Sequence, residues 1–488
     1  MIRRRFAVRA EDSLFGRASK ALGWSFVNTA AARLGTLAIG IVLARILGPT
    51  EFGVFAVAMV ALLAVLSFNE LGVSLAIVRW PGEPREIAPT VTTISVLSSC
   101  LIYAGCFLGA PAFASAMGAP QAAGVVRLLT LNVVINGLVA APAAMLQRHF
   151  RQDRKMIADQ VNNWGGALVS IGLALAGWGA MSLAVGRLTG ALASGVLLVI
   201  YSPVPLRFGF NRAAARALLA FGLPLAGSSV IVFAVTSVDQ LIVGNVLGAT
   251  ALGFYVLAFN LSSWPVGMFS QPVRSVAPAA FARLQHDPPA MRRTFLAAAG
   301  LLTAVTLPVC LLLSGAAQPL IHFLYGAPWR SASDILVWLA ILGGFRIAFE
   351  LMYDYFVVLA RTRAVFTVQV IWLVVLIPAL ILGARYGGAP GVAAAHVAVA
   401  ALVVLPLYLA ELSRVGIGVR AVLSRLALPL VAAAAVGLLA VAAHRLITLD
   451  IAAMVIAGVI AAAAMGAVVY RMRAAVGVLK VMERTDAA

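Results

Sequence analysis

The stretch ILGPTEFGVFAVA at residues 46–58 returns 200 positions later as VLGATALGFYVLA at residues 246–258. In register, Leu47, Gly48, Thr50, Gly53 and Ala58 match Leu247, Gly248, Thr250, Gly253 and Ala258, and each copy joins two long apolar runs. The same tight turn therefore sits at the same place in two halves of one chain. Such a duplication predicts two helical bundles related by a pseudo-symmetry axis, with a seam between them.

Composition identifies the solvent. Hydrophobic residues make up 62% of the 488 and charged ones 11%, against about 25% charged in soluble domains, and the mean hydropathy is +1.02. In a bilayer only helices and closed barrels satisfy their backbone, and apolar runs of about 20 residues without period-2 alternation select helices. The chain is predicted to be all-α, with about fourteen transmembrane helices starting near Leu22, Phe52, Ile87, Ala119, Met156, Ser182, Leu218, Leu252, Phe295, Ser333, Val365, Gly391, Leu423 and Ile451. The apolar run from Leu22 to Ile46 is too long for the core of a cleavable signal and reads as a retained first span. Cys100, Cys106 and Cys310 lie inside apolar runs without metal-like spacing, which predicts buried structural thiols.

The formal net charge is +19, but the basic residues are scattered through short loops rather than gathered on one water-facing surface, which argues against a nucleic-acid partner. Sorted by the predicted spans, 27 of the 36 Lys and Arg residues fall on one side, including six at the N-terminus and four at the C-terminus. The opposite side holds Arg45, Arg127, Arg187, Arg330, Arg385 and Arg445, while Arg33, Arg274 and Arg346 fall within spans. The positive-inside rule then places both termini in the cytoplasm. The basic loops also suit anionic membrane lipid.

Basic breaks at Arg207–Arg216 and Arg414–Arg425 divide the chain. Residues 1–21 read as a cytoplasmic segment, 22–206 as a six-helix lobe, 207–414 as a second six-helix lobe, and 415–488 as two additional helices with a cytoplasmic tail. An even number of spans inserts both lobes the same way up, so the pseudo-two-fold axis runs along the membrane normal and a cavity between lobes is the natural ligand site. The longest outer loop is roughly Gly315 to Arg330. That leaves no outer surface on which a membrane polysaccharide polymerase or ligase would hold its substrate, and no enzymatic role is expected. Pro224, Pro265, Pro272, Pro278 and Pro378 lie inside spans and predict bends.

Charges inside spans are the candidate chemistry. Arg33 lies near the middle of the first span, where an arginine costs about 2.5–3.5 kcal/mol on insertion scales. Its guanidinium fork matches phosphate oxygens; the alternative is a structural pair with an acidic neighbour. Arg274, in the inner half of the eighth span, has the same two readings, plus snorkelling. Arg346, Glu350 and Asp354 are spaced i, i+4, i+8 and stack on one face of the tenth span. They form either a proton-carrying ladder or a static Arg346–Glu350 ion pair with Asp354 reaching the cytoplasmic boundary. Asp239, with Ser237 and Gln240 beside it, offers oxygen ligands for sodium, or else orders the turn before Gly248. Glu70, after Asn69, reads as a helix-end contact, and His396, isolated on the twelfth span, as a packed hydrogen-bonding residue.

Four segments resemble one known family. They are Arg45-Ile-Leu-Gly-Pro-Thr-Glu-Phe-Gly53, then Asn69-Glu-Leu-Gly72, then Asp239-Gln-Leu-Ile-Val-Gly244 followed by Leu247-Gly248 and Gly253-Phe-Tyr255, and QPVRSVAPAAFARLQHD ending at Asp287. Together they resemble the oligosaccharide and polysaccharide flippases of the multidrug, oligosaccharidyl-lipid and polysaccharide export (MOP) superfamily. The last segment is similar to the branch that exports colanic-acid-like exopolysaccharides. The resemblance covers roughly Leu22 to Arg414. It implies that an undecaprenyl-pyrophosphate-linked oligosaccharide crosses the bacterial inner membrane by alternating access, driven by an ion gradient or membrane potential. No GxxxxGK[ST] loop for ATP is present.

The resemblance also implies that Arg33 and Arg274 face the cavity and that Asp239 is the best candidate for coupling to sodium or protons; from their stacking on one face of a span, Arg346 is a further candidate substrate ligand, and Glu350 and Asp354 are candidate coupling residues. No other cofactor is implied. A polysaccharide polymerase and export machinery would be partners of a monomer. One departure stands out: lipid II flippases carry a second cavity arginine on the second span, and here that span has none before Arg79. A multidrug exporter of the same superfamily is the alternative. Its cavity should be acidic and aromatic, and a central arginine would repel organic cations.

Overall fold

Gly48 and Gly248, at the centres of the matching turns, both take left-handed backbone in the computed structural model, with φ of +71° and +83°. Only glycine enters that region without strain, so the repeat marks two sharp changes of chain direction. The structure describes residues 35–67, 77, 80, 82–149, 151–447 and 449–472. Among them no strand occurs. The first half contains α1 (Gly35–Ser67), α2 (Pro84–Ala116), α3 (Pro120–Arg148), α4 (Gln152–Leu175) and α5 (Ala180–Tyr201). The second contains α6 (Arg212–Leu247), α7 (Ala249–Ser270), α8 (Gln271–Arg283), α9 (Pro288–Gly315), α10 (Ala317–Tyr325), α11 (Ser331–Val358) and α12 (Thr362–Arg414). Helices α13 (Val419–Leu446) and α14 (Asp450–Arg471) complete the chain.

Ten segments among the described residues are long and apolar enough to cross a membrane, which makes this a multi-pass membrane protein. Gly48 divides α1, and Gly388 (φ +60°) divides α12. The long helices α4 and α6 are not among the ten, and the set is roughly consistent with the fourteen crossings expected from sequence. Leu97, Leu101 and Leu108 recur on one face of α2 and are 69%, 75% and 78% exposed, forming a lipid-facing stripe. Cys100 is exposed on the same helix and Cys106 half-buried; only Cys310 is buried. The expectation of three buried thiols thus fails for α2, because an apolar run is as stable against lipid as against protein.

The duplication reaches further than the sequence repeat. Gly118 (φ +65°) follows α2 and Gly326 (φ +89°) follows α10, while Gly179 (φ +54°) precedes α5 and Gly388 holds the same place in α12. With Gly48 and Gly248, these make three pairs of glycine-pivoted turns, one of each pair in each half.

At the glycine-turn end the halves meet through bare backbone. A Cβ on Gly53 would fall 2.2 Å from Ala249 O, and one on Gly253 would fall 2.8 Å from Pro49 O and 2.9 Å from Gly53 Cα. Two equivalent clasps flank this contact. Asn245 Nδ2 donates to Ala116 O, the last residue of α2, at 2.7 Å. Arg45, its counterpart in the first repeat, donates from Nε to Leu324 O at 2.7 Å and from Nη2 to Phe323 O, in the last turn of α10. Both clasps use carbonyls at a helix C-terminus, which have no partner within their own helix. Trp329 is fully buried between them, donates from Nε1 to Ala44 O at 3.1 Å, and meets Phe52 and Phe254 edge to face.

Proline sets the remaining irregularities. A π turn at Val266–Ser270 follows Pro265 and precedes Pro272, and another at Ala400–Val404 precedes Pro406. A proline cannot donate to the carbonyl four residues before it, so the helix widens locally. Pro278 and Pro378 sit inside α8 and α12 without interrupting them.

Candidate functional site

A cavity of about 440 Å³ opens between α6, α7, α8, α11 and α12, with Leu63 of α1 at its edge. Asp239, Arg274, Arg346, Glu350 and His396, widely separated in sequence, all line it. Asp354 lies next to it, bonded to Arg274. Arg33, Asn69 and Glu70 lie outside the described residues.

Helix α8 presents Arg274 just beyond the first π turn, facing α11. Its Nε donates to Asp354 Oδ2 at 3.0 Å and its Nη2 to Asp354 Oδ1 at 3.3 Å, a fork-to-fork pair. Its Nη1 lies 3.9 Å from Glu350 Oε1, and Glu350 Oε2 accepts a short hydrogen bond from Ser270 Oγ. Two carboxylates therefore surround one guanidinium, and Arg274 carries no free positive charge. Asp354 is buried in this pair, about one turn before the end of α11.

Arg346 is arranged differently. No carboxylate lies within ion-pair distance of it among the described residues. Its Nη1 donates to Ser263 Oγ at 3.3 Å, and its guanidinium sits 5.2 Å from the centroid of the Phe259 ring. The static Arg346–Glu350 pair considered from the i, i+4 spacing is absent. Phe259 and Ser263 in the middle of α7 hold Arg346, while Ser270 at its end and Arg274 on α8 hold Glu350, so tertiary contacts override the local spacing.

Asp239, in the last third of α6, is 2% exposed. Its Oδ2 accepts from Tyr255 O–H at 2.9 Å and its Oδ1 from the Gln240 backbone N–H at 2.8 Å. Each oxygen keeps a further lone pair, and Ser237 and Gln240 share the cavity wall with it. No cluster of three or more His, Cys, Asp or Glu suited to a metal occurs among the described residues. His396 is 8% exposed and packs edge-on to Trp372 at 6.3 Å, yet its Nδ1 has no hydrogen-bond partner. It is packed as expected but not hydrogen-bonded there.

Sequence reasoning missed Tyr255, Ser263, Ser270, Trp372 and Tyr408. Ser263 and Ser270 lie seven residues apart, two helical turns on one face of an apolar helix. That polar stripe was the available signal. The aromatic members carried none, since an aromatic residue in an apolar span reads as packing.

A family model described as polysaccharide biosynthesis protein matches residues 42–334. The succinoglycan biosynthesis transport protein ExoT of Rhizobium meliloti is 28% identical over 334 residues, 66% of this chain and 65% of that protein. The lipopolysaccharide biosynthesis protein WzxC of Escherichia coli is 23% identical over 353 residues, 72% of each chain. The chain thus spans a little under two thirds of the first relative's length and a little over two thirds of the second's. Among solved structures, the fold is similar to lipid II flippase MurJ in an inward closed conformation, with a TM-score of 0.73 and 15% identity over 91% of this chain and 99% of that one. It is also similar to an inward-facing multidrug resistance MATE family transporter of the MOP superfamily, with a TM-score of 0.60 and 16% identity over 78% and 93%. These likenesses show the fold alone.

Proposed function

The chain belongs to the polysaccharide biosynthesis protein family, and on that basis we propose that it flips a lipid-pyrophosphate-linked oligosaccharide across a bacterial inner membrane by alternating access. The observation that carries this reading is Arg346: a guanidinium well inside a membrane helix, open to the cavity and, among the described residues, with no carboxylate at ion-pair distance. A permanent charge at that depth needs a compensating anion, and a pyrophosphate supplies oxygens matched to its fork. Arg33 is the second proposed anion ligand. Arg274, neutralised by Asp354 and Glu350, serves instead to hold α8 against α11 and to release it when the network rearranges. Asp239 is the proposed coupling site for sodium or a proton.

The excess of Lys and Arg places both termini in the cytoplasm. The clasped glycine-turn end then faces outward, and cargo reaches the cavity from the inner leaflet. A single chain builds the cavity, consistent with a monomer, and a polysaccharide polymerase would take the delivered repeat unit. Transport rather than catalysis is the role proposed. A second reading, export of organic cations, is favoured by the aromatic wall and by Asp239. Against it, Arg346 has no ion pair among the described residues and puts a positive charge on the cavity wall, while Asp239 already accepts two hydrogen bonds.

Cells carrying Arg346→Ala are expected to insert normal amounts of folded protein and to lose surface polysaccharide. Uptake of a fluorescent cation into vesicles, together with normal polysaccharide export by that variant, would shift the assignment to the second reading.

A further inference from the structure

Two polar atoms at the cavity wall are buried without a hydrogen-bond partner, Trp372 Nε1 and His396 Nδ1, and near them the Tyr408 hydroxyl has the Gln369 side chain as its partner. All three side chains line the cavity, and all come from α12. Trp372 precedes Gly388, His396 follows it, and Tyr408 lies beyond the π turn at Ala400–Val404. Buried polar groups are bonded in the great majority of cases, and leaving one unbonded is unfavourable. Two such atoms together in a mainly apolar helix point to a ligand that brings its own donors and acceptors.

The rings around these atoms narrow its chemistry. Phe349 stacks on Tyr408 at 5.4 Å and meets Trp372 edge-on at 5.7 Å, and the Gln369 amide lies beside Tyr408. Ring faces alternating with neutral donors suit a molecule with apolar C–H faces and hydroxyl edges. An acyl chain has nothing to bond to these atoms. An inorganic anion would find no cation among the three, and an organic cation would meet the indole N–H donor. The cavity volume, about 440 Å³, falls in the roughly 300–1,000 Å³ range of small-ligand pockets.

We propose that this end of the cavity is a sugar subsite that holds a neutral pyranose beside the pyrophosphate at Arg346. Trp372 Nε1–H donates to one sugar hydroxyl, His396 Nδ1 and Tyr408 Oη exchange hydrogen bonds with others, and Phe349 and Trp372 flank the ring. The proposal rests on the reading of the cargo as a pyrophosphate-linked oligosaccharide, and it makes α12 the determinant of which first sugar is accepted.

The test uses the full chain in lipid nanodiscs, titrated with undecaprenyl pyrophosphate and with the same lipid bearing glucose, galactose or N-acetylglucosamine. At least one sugar-bearing probe is expected to bind about tenfold more tightly than the bare lipid. Trp372→Phe, His396→Leu and Tyr408→Phe should each cut that preference to about threefold or less while leaving affinity for the bare lipid unchanged. Tyr408→Phe keeps the ring stack and removes only the hydroxyl, so it remains informative if another variant misfolds. Equal affinity of the unmodified protein for all four probes overturns the subsite and leaves the anion site standing. Unchanged binding of the bare lipid by Arg346→Gln overturns the underlying reading instead.

Discussion

Substituting Gly53 by alanine probes the contact that closes the glycine-turn end. The added Cβ would lie 2.2 Å from Ala249 O and 2.7 Å from its carbonyl carbon, both backbone atoms that no rotamer change can move. Ordinary contact needs about 3.5 Å, so the two turns must part by more than an ångström. Overpacking of this kind costs about 1–3 kcal/mol. The strain exists only where the turns touch, so the balance between clasped and open states should move toward open by about 5- to 150-fold. Electron–electron distance measurements between spin labels on Thr50 and Thr250, both exposed, report it directly once Cys100, Cys106 and Cys310 are replaced. Gly40→Ala, whose Cβ meets nothing within 4 Å, is the control and should leave the distances unchanged. A distance distribution in Gly53→Ala identical to that of the parent, in monodisperse protein, would refute the closure argument.

Asn245→Ala removes one clasp, worth about 0.5–1.5 kcal/mol, and should shift the same label distances in the same direction; a shift toward the clasped state would contradict the assignment. Asp354→Asn should lower thermal stability by about 1.5–3 kcal/mol through loss of its charge-assisted bonds to Arg274. Its effect combined with Arg274→Gln should be less than additive, and strict additivity would mean the two side chains do not interact. Glu51 Oε2 accepts the Ala180 N–H at 2.7 Å at the start of α5. Glu51→Ala should therefore cost about 0.5–2 kcal/mol, with Glu51→Gln recovering part of it; equal losses from the two would exclude a capping role.

Much of the frame was legible because membranes restrict the options. Apolar runs of spanning length forced helices, and the repeated Gly48 and Gly248 turns exposed the duplication. The other two glycine pairs escaped notice because their flanks diverged: Trp178 and Met181 surround Gly179, where Gly387 and Pro390 surround Gly388. Only backbone angles reveal their equivalence. Charges inside spans were visible for the same reason that apolar runs were, since lipid penalises them, and Asp239, Arg274, Arg346 and Glu350 do share one cavity.

Their pairing was not visible. Spacing along α11 put Glu350 beside Arg346, whereas Ser270 and Arg274, 80 and 76 residues away in sequence, hold it instead. Tyr255, Trp372 and Tyr408 were hidden because an aromatic ring declares its polar atom only when its neighbours are known. Pro265 and Pro272 gave the position of one irregularity but not its form, since nothing in them distinguishes a kink from a π turn, and the π turn before Pro406 was not anticipated.

The most direct measurement is transbilayer movement of a fluorescent undecaprenyl-pyrophosphate oligosaccharide in proteoliposomes containing the full chain or its Arg346→Ala variant. A guanidinium on the cavity wall that binds the cargo's pyrophosphate predicts rapid movement with the parent protein and a fall of about tenfold or more in the variant, one lost charge-assisted contact being worth about 1.5–3 kcal/mol. Movement at the parent rate in folded, correctly inserted Arg346→Ala would contradict the account.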